Sequence, residues 1–92
     1  MATVVDDREH LRCTEKPWAS ELILFTDGAA WVTTFLTLPE ARENAIWNQD
    51  RHNAGQARFR SVTVHHYNTG ARDWEPVESF PLNPLAQQGD QR

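Results

Sequence analysis

The chain of 92 residues predicts an α+β domain, a ββαββ unit in which an antiparallel four-stranded sheet carries one helix packed on one face. Three observations predict it. Residues Glu21 to Leu38 form two runs of β-branched, aromatic and aliphatic residues around Asp27-Gly28, whose dipeptide supplies the positive φ of a tight hairpin turn. Thr37-Leu38-Pro39-Glu40 has the Thr-x-x-Glu spacing of a capping box in front of a helical pattern. Arg58 to Asn68 and Asp73 to Phe80 are two further strand-like runs flanking an Asn-Thr-Gly-Ala turn.

The first hairpin has two candidate registers. A two-residue loop sets Leu24 against Trp31, and a three-residue loop sets Phe25 against Trp31. Large apolar groups occur on both faces in either case, so one face covers the core and the other is left for a neighbouring segment or a partner. The helix is expected from Leu38 to about His52, with Asn53-Ala54-Gly55 as its stop. Leu38, Ala41, Ala45 and Ile46 form its inward stripe, and their alanines permit close approach to a sheet. Trp47 lies off that stripe beside Arg51.

On the third strand, strict alternation puts Val62, Val64, Arg58, Arg60 and His66 on one face and Phe59, Ser61, Thr63, His65 and Tyr67 on the other. Pro76 in the last strand marks a sheet edge, because it has no N–H for a ladder. Residues 1–19 read as a mobile N-terminal arm ended by Pro17, residues 20–82 as the single domain, and residues 83–92 as a flexible C-terminal tail.

The net charge is −4, but it is unevenly spread. Residues 1–50 hold nine acidic and four basic side chains, and residues 73–92 four acidic and one basic. Between them Arg51, Arg58, Arg60 and Arg72 stand with no carboxylate in the same stretch. Two consequences compete: neighbouring strands exchange ion pairs, or the basic island steers docking. No apolar run approaches the ~20 residues of a membrane helix, and the N-terminus lacks a basic and then apolar signal layout, so no membrane association and a cytoplasmic location are expected. With Cys13 as the only cysteine, no internal disulfide forms.

Reactive constellations are weak. His65 and His66 are adjacent on a strand and point to opposite faces, so they do not grip one metal. His10 and Cys13 have a His-x-x-Cys spacing without the two further ligands of a structural zinc site. The glycines at 28, 55, 70 and 89 make no phosphate-binding loop. Neither a catalytic set, a metal nor a cofactor is expected.

The reading that follows is a non-catalytic protein-binding module acting stoichiometrically, as an inhibitor or adaptor of a larger protein or nucleoprotein complex. Phage-encoded anti-defence proteins of the anti-CRISPR kind are one class with such properties. Its expected partner-binding residues are Trp47, Arg51, Arg58, Arg60, His66, Tyr67 and Arg72. One alternative is a small nucleic-acid-binding protein, since Arg58-Phe59-Arg60 and His65-His66-Tyr67 interleave cations with rings on one strand. A further alternative is a small enzyme using His65 or His66. A homodimer through the spare sheet face or the Pro76 edge is the remaining arrangement.

Overall fold

A computed structural model describes residues 7–84. Its elements are α1 (Asp7–Glu15), β1 (Trp18–Leu24), β2 (Ala30–Phe35), α2 (Leu38–Asn53), β3 (Phe59–Asn68) and β4 (Asp73–Ser79). All pairings are antiparallel and the sheet order is β2-β1-β3-β4, so β2 and β4 are the edges. The α+β architecture is that expected of the sequence, with one further helix ahead of the first strand.

The hairpin takes neither candidate register. Leu22 faces Trp31 and Ser20 faces Thr33, which leaves Phe25 to Gly28 as a four-residue loop. Two bonds close it: the Gly28 N–H donates to the Leu24 carbonyl at 3.0 Å, and the Ala29 N–H donates to the Asp27 carboxylate at 2.9 Å. Gly28 holds φ at 74°, so Asp27-Gly28 does its conformational work at the end of the loop and not at its centre.

Helix α2 begins as its sequence dictates. The Thr37 side chain accepts from the Glu40 N–H, the Glu40 carboxylate accepts from the Thr37 N–H, and a proline occupies the first turn. Ala41 and Ala45 are fully buried against Val62 and Val64, with Leu22, Leu24, Phe35 and Leu38 around them. Ile46 is not part of this stripe and is exposed; the stripe continues through Asn48 and His52 instead, three and seven residues beyond Ala45. His52 is a structural histidine. The Phe59 N–H donates to its Nδ1 at 3.0 Å, which leaves Nε2–H to donate to the Asn83 carbonyl at 2.9 Å.

Two bulges overturn strict alternation. Ile23 faces Ser61 but Leu24 faces Phe59, so Arg60 is the extra residue and Phe59 turns inward to join the core. Val64 faces Glu78 but His65 faces Pro76, so Val77 bulges outward on the edge strand.

The second face of the sheet is not bare. Residues 7–15, within the stretch expected to be an arm, form α1, whose His10 and Cys13 rest on the end of that face. His10 Nδ1 and the Tyr67 hydroxyl are 2.7 Å apart, and Tyr67 is 1% exposed and meets Trp74 edge-on. The rest of that face presents Glu21, Ser61, Thr63, His65 and Ser79 around Ile23 and Val32, a mostly polar surface. Residues 1–6, and residues 85–92 of the expected tail, lie outside the described residues.

Candidate functional site: an aromatic and arginine groove

Two of the most exposed apolar side chains stand away from the open sheet face. Trp31 is 63% exposed on β2 and Trp47 is 59% exposed on α2. They flank a groove of about 360 Å³ whose floor is Leu22, Leu24 and Phe59, with Ala57 and Arg58 at its end. Each wall follows from local structure. Trp31 points to the helix-covered face because it faces Leu22 across the hairpin, yet it stands on the edge strand beyond the reach of α2. Trp47 follows the buried Ala45 by two residues, about 200° around the helix, so it stands out from the sheet on the β2 side.

Arg51 is held in place along the same flank. Its guanidinium lies 4.8 Å from the centre of the Trp47 ring and donates to the Asn48 side-chain oxygen at 3.2 Å. The Asn48 amide in turn donates to the Asn44 carbonyl at 2.9 Å, so a buried amide orients the cation from below. Arg58 is exposed at the far end of the groove.

Among the described residues the salt bridges are Glu9–Arg12, Arg42–Glu78 and Glu21–His65, and neither Arg51, Arg58 nor Arg60 takes part in them. Ion-pair exchange among the described residues therefore does not account for these three arginines. The Arg42–Glu78 pair, Nε to carboxylate at 2.7 Å, ties α2 to β4 and holds the Glu78 carboxyl below the usual carboxylate range.

The seven expected partner-binding residues do not form one patch. Trp47, Arg51 and Arg58 share the groove. Arg60 lies at the same end of the molecule, where its Nε donates to the Phe25 carbonyl at 3.0 Å and its guanidinium stands over the Phe25 ring. His66 is six residues further along β3, about 20 Å away at strand rise, and packs on Trp18 with ring centres 4.2 Å apart. Tyr67 is buried beneath α1, and Arg72 is in the turn before β4 with φ at 53°. Trp31, Leu22, Leu24 and Asn48 belong to the groove without having been singled out in sequence. An i, i+4 Trp–Arg pair on a helix flank is visible there; that Trp31, sixteen residues before Trp47 and on another element, faces it depends on the hairpin register.

The histidine pair separates as alternation requires. His65 Nε2 is 3.1 Å from the Glu21 carboxylate in a hollow of about 170 Å³ shared with Ala19, Val32 and Trp74. Its other nitrogen, Nδ1, is buried and has no hydrogen-bond partner among the described residues. His10 turns to Tyr67, whereas the buried Cys13 thiol turns to Glu9 at 3.7 Å; burial, with the neighbouring carboxylate, pushes the thiol above its ordinary range. Among the described residues no three His, Cys, Asp or Glu side chains converge as a metal site, and no helix is long and apolar enough to cross a membrane.

Comparison with protein-family models, curated proteins and solved structures finds no match. The groove, with its two exposed indoles and with Arg51 and Arg58 outside the salt bridges among the described residues, is the feature on which a functional reading stands.

Proposed function

We propose that the chain is a non-catalytic protein-binding module that docks stoichiometrically on a larger protein or nucleoprotein complex, as an inhibitor or adaptor, through the Trp31–Trp47 groove. The observation that carries this reading is the meeting of two largely exposed tryptophans with Arg51 and Arg58, neither of which has a carboxylate in salt-bridge range among the described residues. Tryptophan and arginine are the residue types most enriched at interface hot spots, and arginine fixed on an indole has already lost part of the freedom that binding would cost. The matching surface is an apolar side chain, seated between the indoles, with a carboxylate beside it for Arg51 or Arg58.

The nucleic-acid alternative keeps Arg58 and Arg60 but loses its stacking rings, since Phe59 and Tyr67 are both buried. The test is a titration against a partner captured by affinity purification. The expected result is a fixed-ratio complex that Trp47→Ala weakens at least about tenfold, the scale of a hot-spot truncation. The double change Arg51→Glu with Arg58→Glu slows association, while circular dichroism stays that of the wild type. Retained affinity in both variants, or recovery of nucleic acid alone with binding that falls steeply in salt, overturns the reading.

A further inference from the structure

The β2 edge combines three properties that edge strands of monomers avoid. It is open: every residue from Ala30 to Thr34 is exposed. It is chemically unguarded: no charged residue and no proline occurs between Asp27 and Pro39. Its free backbone groups are also in phase. The Leu24 N–H bonds the Ala29 carbonyl at 2.9 Å and the Tyr67 N–H bonds the Pro17 carbonyl at 2.8 Å, and an antiparallel ladder bonds alternate pairs. Residues 29, 31, 33 and 35 therefore bond inward to β1, while Ala30, Val32 and Thr34 turn both N–H and C=O outward. The opposite edge, β4, is guarded by Asp73, Glu75, Pro76, Glu78 and the Val77 bulge.

We propose that a second copy of this chain covers the β2 edge, pairing β2 antiparallel with β2 about a two-fold axis perpendicular to the sheet. Three features of the molecule select a second copy. The strand is neutral in an acidic chain, so self-pairing sets no like charges against each other. A head-to-tail contact of β2 with β4 would have to pair with a strand interrupted by Pro76 and a bulge, so the closed, self-complementary contact is the one the edges allow. Finally, a two-fold centred on Thr33 sets Trp31 against Phe35 and Val32 against Thr34 of the second copy, which gives two aromatic pairs and keeps Ala30, Val32 and Thr34 in bonding phase. The result is a continuous eight-stranded sheet with both α2 helices on one face and a Trp31–Trp47 groove on each side of the axis.

Trp31 belongs both to the groove and to this edge, but the test leaves Trp31, Trp47, Arg51 and Arg58 unaltered, so its outcome is read separately from binding at the groove. Sedimentation of the full chain is measured from about 5 µM to about 500 µM, a range suited to the weak association that a six-residue edge supports. The wild type is expected to pass from one to two chain masses, with the amides of Ala30, Val32 and Thr34 gaining exchange protection at the upper end. Thr33 is exposed, so Thr33→Lys and Thr33→Glu fold normally, but each sets like charges face to face across the axis. Each variant alone is expected to lose at least about tenfold in dimer affinity, and an equimolar mixture of the two to recover it. A wild type that stays monomeric throughout overturns the proposal, whatever other strand the edge then accepts. So do variants that dimerise as the wild type does, or a mixture that fails to recover.

Discussion

At the scale of single residues, the molecule separates side chains that hold the fold from those left available. Arg42 and Glu78 belong to the first group. A charge-assisted bond from Arg42 lowers the Glu78 pKa, so the pair contributes above the ordinary glutamate value and is lost as pH falls through the lower folded value. Both side chains are well exposed, which keeps the contribution small. Carbon-detected NMR titration is expected to find Glu78 titrating below the ordinary glutamate value, and Arg42→Met to return it toward that value. Trp47 and Arg51 belong to the second group, and their spacing made them legible as a helical pair. Tyr67 was legible only as an aromatic on a strand. Its burial beneath His10 comes from a helix 57 residues away, which no local pattern reports.

At the scale of elements, α2 is the one most completely written in its own sequence. Its start rests on Thr37, Pro39 and Glu40, and its end on Gly55, which takes φ of 81°. Replacing Thr37 with alanine removes the cap acceptor and is expected to lower unfolding free energy by about 1 kcal/mol, read as a shifted denaturation midpoint at unchanged slope. The strands are less legible because their register depends on the partner. Asp27-Gly28 announces a turn, but the four-residue loop and the Leu22–Trp31 pairing follow from β1 having to satisfy β2 and β3 together. The bulge at Arg60 is similarly invisible in a run that reads as unbroken alternation, and it alone turns Phe59 from one face to the other.

At the scale of the whole molecule, the sheet is covered unequally. Helix α2 shelters the apolar face, and α1 lies across one end of the other, over Tyr67 and Trp74 and with Glu9, Arg12 and Cys13 bordering a hollow shared with Val32 and Thr34 of β2. Deleting residues 1–15 would expose Tyr67 and strip its hydroxyl partner, so the shortened chain is expected to melt several degrees below the full one, on the scale of a loss of ~1–2 kcal/mol in a domain this size. No residue of 1–15 lines the groove, so binding of the proposed partner is expected to persist below the lowered transition. Much of the apolar surface left over lies at the β2 edge and its border with α2, where Trp31, Val32 and Trp47 are exposed, with Leu11 on α1 and Val77 on β4 exposed elsewhere.

Fold class, the boundaries of α2, the Pro76 edge and the Trp47–Arg51 pair could all be read before any coordinates, because caps, periodicity and a missing N–H act within a few residues of their cause. Which register the hairpin adopts, which rings are buried, where the seven candidate residues fall and which edge is left unguarded were settled only when distant segments met. Those outcomes are set by ladder bonds and packing between residues tens of positions apart, and one extra residue in a strand reverses every face beyond it.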